Sequence, residues 1–307
     1  MIEVKHLTKR YGDHLAVDDL SFTVEQGKIY GFLGPNGAGK STTIRHLMGF
    51  SKADDGKVEI FGKPTFGKYY EILKNVGYIP GEVALPAGLT GKEFLKMMQD
   101  LTGIYNNERL GMLLELFELD EVSLLGDVKR MSLGVKRKLA VVSAFMSDPE
   151  VLILDEPTRG LDPVMQERFI EFIHKEKERG KTILLSSHIF SEIDNTCDRI
   201  AIIKDGKIVS EFVANDLKHA SKKYYTVDFK AEADKKKFLE SSVGIESLTM
   251  INDKENEIFI SIEDEDLNKT INLLSAVDVT KFSNRKESLE DYFMKFYKED
   301  KDFGGAL

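Results

Sequence analysis

The chain has 307 residues, of which 42% are hydrophobic and 31% are charged, a balance that is typical of a globular protein and excludes a largely disordered chain. At about 150 residues per domain this length predicts two domains, and no apolar stretch approaches the roughly 18 to 20 residues of a membrane-spanning helix or resembles a signal peptide. The net charge of −9 disfavours attraction of the whole surface to nucleic acid or anionic lipid, so we expect no nucleic-acid partner.

The first 60 residues predict β-strands on both sides of a glycine-rich loop. Four apolar residues alternate with polar ones and mark two strands: Ile2, Val4, Phe22 and Val24. A continuous apolar run at residues 29–33 then leads into the loop. A turn signal at residues 54–56 stands before Val58 and Ile60, which is typical of a hairpin. We therefore expect the first sheet to be partly antiparallel.

The period of the apolar residues becomes helical over residues 89–147. One predicted face carries Leu110, Leu113, Leu114 and Phe117, and another carries Phe94, Leu95, Met98 and Leu101. This pattern predicts a helical subdomain, at about residues 82–147, inserted into the strand-rich part of the chain.

Two short, wholly apolar runs follow, at residues 151–154 and 183–185. A helical pattern with Phe169, Ile170 and Ile173 separates them. Short apolar strands joined by helices are typical of buried parallel strands with crossover connections. We therefore predict an α/β core with a mixed sheet for residues 1–217.

After Asp216 the pattern changes and predicts a small α+β domain over residues 218–307, for which a ferredoxin-like arrangement is one candidate. In chain order we expect a strand at 225–229, a helix near 235–239, strands flanking 252–257, a helix at 267–274, a strand at 277–282 and a closing helix at 289–296. The lysine run 235–237 is most simply a solvated helix face rather than a nucleic-acid contact.

The segment Gly34–Thr42 carries the first chemical motif. It stands between an apolar strand and a helix pattern, which is the context of a phosphate-binding loop. Its residues are Gly34, Pro35, Asn36, Gly37, Ala38, Gly39, Lys40, Ser41 and Thr42. Glycines let backbone N–H groups turn towards phosphate oxygens, Lys40 reaches the β- and γ-phosphates, and the Ser41 hydroxyl is a ligand for Mg²⁺. The alternative is an ordinary glycine turn.

Polar side chains follow both of the later apolar runs. Asp155 and Glu156 come after the first run, and His188 comes after the second. Ligands of open α/β sheets bind at the carboxyl ends of the strands, so Asp155 is a Mg²⁺ partner, directly or through water. Glu156 can then polarise the water that attacks the γ-phosphate. A solvated acidic strand end and a structural histidine are the alternatives.

Together these motifs resemble the ATP-binding subunit of an ABC transporter. The resemblance covers about residues 1–217 and implies a P-loop NTPase cassette of α/β fold with an inserted helical subdomain. It implies ATP and Mg²⁺ as ligands, Glu156 as the catalytic glutamate and His188 as the switch histidine. Tyr11 matches the aromatic residue that stacks on adenine, although a surface aromatic at a strand end looks the same. Residues 160–162 resemble the D-loop.

Two motifs of that family differ in this chain. The signature motif, usually Leu-Ser-Gly-Gly-Gln, matches residues 131–135, which keep Ser132 and Gly134 but lose one glycine and the glutamine. The resemblance implies that Ser132 and Gly134 contact the γ-phosphate bound by a second subunit. In the Q-loop, Gly81 and Glu82 replace the glutamine, so Glu82 is a candidate for a contact to Mg²⁺ or water.

The resemblance also implies partners and a location. Each ATP lies between two cassettes, and the intact phosphate loop, Glu156 and His188 favour a homodimer. We expect a separate integral membrane permease, received by the helical subdomain near residues 82–130, and a position on the cytoplasmic side of the cell membrane. The single cysteine, Cys197, excludes an intramolecular disulfide and fits a reducing compartment. The Ser-Leu-Gly signature and the tail at residues 288–293 resemble subunits of drug, antibiotic and lantibiotic exporters, and no residue identifies the cargo.

Two other functions stay open from the sequence. The first is a soluble ABC ATPase that acts on ribosomes or DNA, although such proteins typically carry two cassettes or a long coiled-coil insertion. The second is a weakly active regulatory subunit, which gains weight from the altered signature motif and Q-loop. The C-terminal domain is more simply a stabilising cap or a dimerisation surface than a ligand sensor.

Overall fold

A computed structural model describes residues 1–215, 222–253, 255–285 and 289–297 of the chain. The chain divides into two compact units, of which the first runs from Met1 to Ala214 and the second contains the described residues from Asn215 onward. Each unit has a hydrophobic core of its own. Within the described ranges, every helix is too short or too polar to span a lipid bilayer.

The first unit combines two sheets with helices. Its strands are β1 (Ile2–Tyr11), β2 (His14–Val24), β3 (Ile29–Leu33), β4 (Asp55–Ile60), β5 (Lys63–Pro64), β6 (Val76–Ile79), β7 (Val151–Asp155), β8 (Thr182–Ser187), β9 (Arg199–Lys204) and β10 (Lys207–Val213). Its helices are α1 (Lys40–Leu47), α2 (Thr65–Ile72), α3 (Gly91–Thr102), α4 (Asn107–Leu116), α5 (Glu121–Leu125), α6 (Leu133–Phe145), α7 (Pro163–Glu178) and α8 (Phe190–Thr196).

A six-stranded sheet in the order β10-β9-β3-β8-β7-β6 forms the centre of this unit. All of its neighbouring strands pair in parallel except β10, which runs antiparallel to β9. Every residue of β3, β7 and β8 is buried, as expected for parallel strands with both faces covered. This confirms the predicted α/β fold with a mixed sheet, and it brings the carboxyl ends of β3, β8 and β7 side by side.

The second sheet is antiparallel, in the order β2-β1-β4-β5, and one of its turns differs from the prediction. Residues 54–56 do not close a hairpin, because β4 begins at Asp55 and pairs with β1. The tight turn lies at residues 61–62, between β4 and β5. Gly56 has a φ of 89°, and a Cβ there would lie 2.3 Å from the carbonyl oxygen of His6. The glycine therefore permits a close approach of two backbones at an irregularity of the ladder.

Helices α3 to α6 form the predicted helical part. Helix α3 begins at a capping box, in which Thr90 and Glu93 each bond the other's backbone N–H. Leu113 and Phe117 are buried as the helical period predicts. Leu101 is an exception, since it is 71% exposed in the last turn before the helix ends at Gly103.

The second unit has the order β-α-β-β-α-β of the ferredoxin-like motif, followed by a further helix. Its elements are β11 (Lys222–Phe229), α9 (Glu232–Ser242), β12 (Thr249–Asp253), β13 (Glu257–Glu263), α10 (Leu267–Leu274), β14 (Val279–Arg285) and α11 (Leu289–Tyr297). The strands form one antiparallel sheet in the order β12-β13-β11-β14. Lys235, predicted to face solvent, is instead 8% exposed, because its amine reaches the Glu255 carbonyl at 2.9 Å while its stem is buried.

Candidate functional site

Three loops meet at the carboxyl edge of the six-stranded sheet. They are the glycine-rich loop after β3, the segment that begins at Glu156 after β7, and the segment that begins at His188 after β8. Leu33 pairs with Ser187, and Asp155 pairs with Ser186. The register of the central strands therefore brings the three predicted motifs together.

The glycine-rich loop turns tightly between β3 and α1. Gly37 and Gly39 have φ values of 84° and 107°, which glycine adopts without the steric cost of a Cβ. A Cβ at Gly34 would lie 2.5 Å from the Ile203 carbonyl oxygen, so the loop packs too closely for a side chain. The first N–H groups of α1 have no acceptor within the helix and carry its positive dipole end. The loop and the helix start therefore form an anion-binding site.

Lys40 begins α1 and is only 4% exposed. Its Nζ donates to the carbonyl oxygens of Gly34 and, at 3.0 Å, Pro35. Burial lowers the pKa of Lys40 below its usual value, and the charges of Glu156 and Asp155 act in the opposite direction. The amine is thus held within the loop and close to two carboxylates, where phosphate oxygens can replace its carbonyl acceptors.

Asp155 and Glu156 are buried, at 4% and 8% exposure, although both carry carboxylates. Asp155 accepts a hydrogen bond from the Ser186 hydroxyl, and its Oδ2 faces Gly81, where a Cβ would lie 3.1 Å away. Glu156 has a left-handed φ of 46°, and its backbone N–H donates to the Ser186 carbonyl at 3.0 Å. This backbone turn redirects the chain directly after the strand.

The Glu156 carboxylate has two basic neighbours. His188 Nδ1 lies 3.0 Å from Oε1, and Arg159 Nη1 lies 3.4 Å from Oε2. Since a carboxylate oxygen only accepts, His188 Nδ1 carries the proton in this contact. A buried carboxylate held on one side by a histidine can act as a general base on a water molecule.

The residues on both sides of His188 are fixed by a buried glutamate that the sequence analysis missed. The Ser187 hydroxyl donates to Glu192 Oε2 at 2.5 Å and accepts the Ile189 N–H at 3.0 Å. Burial raises the pKa of Glu192 above its usual value, and the Ser187 hydrogen bond acts in the opposite direction. The signal that could have revealed Glu192 is its position four residues after His188, in the helix that follows.

A cleft of about 210 Å³ lies between the glycine-rich loop, Glu156 and the residues around the β1–β2 turn. It is lined by Tyr11, His14, Ala16, Pro35, Asn36, Gly37, Gly39, Lys40, Ser41, Thr42 and Glu156. The Tyr11 ring is 46% exposed, so it offers a flat face for stacking at one end of the cleft. The structure therefore places the predicted adenine-stacking residue, the phosphate loop and the predicted catalytic glutamate around one space.

The oxygen donors at and beside the cleft fit Mg²⁺. Ser41 lines the cleft with its hydroxyl, and Asp155, which directly precedes the lining residue Glu156 but is not itself in the lining, supplies a carboxylate. Mg²⁺ prefers oxygen ligands, typically one or two carboxylates with phosphate and water. Glu82 is exposed on the loop after β6 and is not among the residues that line the cleft.

The altered signature motif lies at the start of α6. Ser132 is exposed and caps the helix, with its Oγ accepting the Val135 N–H at 3.3 Å. Leu133, which replaces a glycine of the usual motif, is 58% exposed and packs against the α-carbon of Gly160. Neither Ser132 nor Gly134 lines the cleft of its own chain.

Comparisons with known proteins agree on one family. Residues 17–159 match the family model for the ABC transporter. The chain is 37% identical over 297 residues to a bacitracin transport ATP-binding protein of Bacillus licheniformis, with 96% of each chain covered. It is 36% identical over 212 residues to a Nod factor export ATP-binding protein I of Burkholderia orbicola (strain AU 1054), which covers 68% of this chain and 70% of the relative.

Solved structures show the same fold. The ATP-binding subunit of an ABC transporter superposes with a TM-score of 0.67 at 32% identity and covers 71% of this chain and 92% of its own. A cassette solved as a dimer in a post-hydrolysis state with ADP and Pi has a TM-score of 0.64 at 23% identity and covers 70% of this chain and 99% of its own. At that identity the second likeness supports the fold alone.

Proposed function

This chain belongs to the ABC transporter family, and from that premise we propose that it is the subunit whose ATP hydrolysis powers an exporter through a separate membrane permease. As a member of the family it is an ATP-binding protein and an ATPase. The observation that carries the proposal is the cleft in which Lys40, Ser41 and Glu156 meet at the N-terminus of α1.

In the proposed reaction the residues in and beside the cleft have separate tasks. Tyr11 stacks on adenine, while Lys40 and the N–H groups of the glycine-rich loop bind the phosphates. Ser41 and Asp155 would hold Mg²⁺, which would neutralise phosphate charge when bound. Glu156 accepts the proton of the attacking water.

His188 holds the Glu156 carboxylate from one side. Its Nδ1 donates to Oε1 at 3.0 Å, and Ser187 and Ile189 fix the backbone on either side of the ring. The imidazole is 51% exposed, so Nε2 can approach the γ-phosphate, to which it donates in the imidazolium form that carries a proton on each nitrogen. In this proposal His188 contacts both the general base, Glu156, and the γ-phosphate.

A second copy of this chain completes the site in the proposed assembly. Ser132 and Gly134 stand at an exposed helix N-terminus that faces no phosphate of its own chain. The N-terminus of α6 and the Ser132 hydroxyl suit an anion presented by another molecule. We therefore place the γ-phosphate between the glycine-rich loop of one copy and Ser132 of the other, so that hydrolysis releases the pair.

The proposed exporter role is supported by the relatives and by the surface of the helical subdomain. A bacitracin transport protein aligns with 96% of the chain, and the Nod factor relative is named for export. Several large apolar side chains of the subdomain are exposed, namely Leu101, Tyr105, Val122 and Leu125. A contiguous exposed apolar patch favours a protein partner, and we propose that these side chains contribute to such a patch, which meets the permease on the cytoplasmic side of the membrane.

The test is to tag the chain in its native cell, extract the membranes with a mild detergent and identify what copurifies in stoichiometric amount. We expect a multi-helix membrane protein. A variant with Leu101→Ser and Tyr105→Ser should lose that protein and keep its ATPase activity, while Val243→Ser, which removes an 86% exposed side chain of the other unit, serves as the control. Recovery only from the soluble fraction, with ribosomal or DNA-bound proteins, would overturn the transport role and leave the ATPase.

A further inference from the structure

A single buried arginine connects three parts of the site. Arg137, on α6, is 1% exposed and among the largest fully buried side chains of the described residues. Its Nη1 and Nη2 each donate at 2.7 Å, to the carbonyl oxygens of Pro80 and Gly81. Its Nε donates at 2.9 Å to the carbonyl oxygen of Arg159. All three acceptors are backbone atoms of loops, not carboxylates.

These contacts constrain the loops because a buried cation needs them. A guanidinium that loses its partners inside a protein costs several kcal/mol, so its hydrogen bonds are kept in a fixed geometry. Burial lowers the pKa of Arg137, the neighbouring Arg159 acts in the same direction, and Glu156 and Asp155 act in the opposite one. The planar fork of arginine directs separate N–H donors at acceptors on two loops, a spread that the compact ammonium of lysine does not reproduce.

The first of these loops leads directly to the metal-binding carboxylate. The α-carbon of Gly81 packs against Asp155, since a Cβ there would lie 3.1 Å from Oδ2 and 3.3 Å from Cγ. A glycine at this position lets the backbone approach the carboxylate. Arg137 holds the Gly81 carbonyl, so it fixes how close the turn comes to Asp155.

The second loop follows the general base. Arg159 contacts the Glu156 carboxylate through its side chain and Arg137 through its carbonyl. The next residue, Gly160, packs against Leu133 at the start of α6. A shift of α6 therefore reaches both loops through one guanidinium.

We propose that Arg137 is a positioning residue that holds the Pro80–Gly81 turn against Asp155 and couples this contact to the signature helix α6. The chain has Gly81-Glu82 where the resemblance leads one to expect a glutamine, so here a backbone turn rather than a long side chain borders the metal-binding carboxylate. The inference rests on the proposed role of Asp155 in holding Mg²⁺.

The test compares Arg137→Gln with Lys138→Gln in the full chain. Both substitutions remove one positive charge from adjacent positions of α6, but Lys138 makes none of the three contacts. Nucleotide affinity is measured by calorimetry with Mg²⁺ and with a chelator, and the ATPase rate is titrated with Mg²⁺. We expect Arg137→Gln to raise the half-saturating Mg²⁺ concentration about tenfold or more, which is the size of losing charge-assisted hydrogen bonds, with ATP affinity in chelator unchanged.

Two further variants keep the test decisive. Arg137→Lys should give a partial effect, because its charge remains but its compact ammonium does not reproduce the three separated donor positions of the guanidinium. Gly81→Ala should reproduce the Mg²⁺ effect without any change to α6, since its Cβ would push the turn away from Asp155. If the Arg137 variants do not fold, the Mg²⁺ requirement of Gly81→Ala tests the proposal in their place.

The inference is overturned if folded Arg137→Gln, or Gly81→Ala where the former does not fold, keeps the wild-type Mg²⁺ requirement. It is also overturned if Lys138→Gln shifts that requirement equally, because the effect would then be one of net charge. If Asp155→Asn in the otherwise unchanged chain leaves Mg²⁺-dependent nucleotide affinity unaltered, the proposed role of the carboxylate is overturned instead.

Discussion

The glycine-rich loop and the altered signature motif both stand at the N-terminus of a helix, yet they differ in burial and in their contacts within the chain. Lys40 at the start of α1 is 4% exposed and bonded to two carbonyls of its own loop. Leu133 at the start of α6 is 58% exposed. The start of α1 is therefore buried and bonded within its own chain, whereas the start of α6 is exposed to solvent. The contrast fits the proposed assembly, in which one half of the site is preorganised and the other half is supplied by a second copy.

The largest effect should come from Glu156, on the preorganised side. We expect Glu156→Gln to slow hydrolysis at least about a hundredfold, the usual size of a general-base contribution, and to leave ATP binding intact. Single-turnover hydrolysis and equilibrium binding separate the two quantities. Glu167→Gln, at an exposed position of α7, is the matched control. A near wild-type rate would remove Glu156 from the role.

The next effect should come from the backbone of the glycine-rich loop. Gly34→Ala places a Cβ 2.5 Å from the Ile203 carbonyl oxygen, and such overpacking typically costs about 1–3 kcal/mol. We expect a lower melting temperature and about tenfold weaker ATP binding. Gly111→Ala, inside α4 with no atom near the new Cβ, should instead be neutral or stabilise by up to about 1 kcal/mol. Equal behaviour of the two variants would show that the loop is less constrained than its contacts indicate.

Ser132→Ala sharpens the comparison from the exposed side. It removes the cap of α6, which should cost about 1 kcal/mol of stability, and leave nucleotide affinity of the single chain unchanged. If a second copy uses Ser132, hydrolysis should fall only at protein concentrations where the chains pair. Ser132→Thr, which keeps the cap, is the control. The measurement is the ATPase rate against protein concentration; a loss that does not depend on concentration would place Ser132 in its own chain's site.

The smallest effect concerns the attachment of the helical subdomain that carries the signature motif. Arg109 of α4 lies 2.6 Å from Glu176 and 3.5 Å from Asp148. Burial alone would raise the pKa of Asp148, but hydrogen bonds from Arg179 and Lys181 outweigh it and lower the pKa to about 2.

Because the folded pKa of Asp148 is depressed, its stabilising effect is present above the usual value near 3.8 and is lost as the pH falls towards about 2. Melting temperatures of the wild type and of Asp148→Asn should therefore differ by a constant amount between about pH 5 and 7 and converge in more acidic solution. A difference that grows below pH 4 would contradict the assignment.

Much of the architecture follows from local patterns. The apolar runs at residues 151–154 and 183–185 predict β7 and β8, because strands buried on both faces require unbroken apolar sequence. The glycine spacing at Gly34–Gly39 indicates a phosphate loop for a steric reason. The loop needs positive φ values at Gly37 and Gly39 and a close backbone approach at Gly34, which a side chain would prevent. The turn signal at residues 54–56 was misleading, since glycine serves a close backbone approach as readily as a hairpin.

The supporting residues of the site were much harder to predict. Arg137 bonds carbonyls that lie 57 and 56 positions away along the chain, and backbone acceptors leave no mark in the sequence. Lys235 shows the same difficulty in the other unit, since its amine donates to a carbonyl 20 positions away along the chain. Long-range contacts to backbone atoms determine where these side chains lie. The local period and charge of the sequence therefore do not reveal their positions.

The left-handed backbone at Glu156 bears on how this protein would respond to selection in the laboratory. A non-glycine residue in that conformation typically costs about 1–2 kcal/mol, whereas Gly or Asn adopts it more easily. A library screened for heat resistance alone should therefore enrich Gly or Asn at position 156. Each of these variants would be more stable but would lack the carboxylate that the proposed hydrolysis requires. A thermostability screen of this chain therefore needs a parallel screen for ATP turnover.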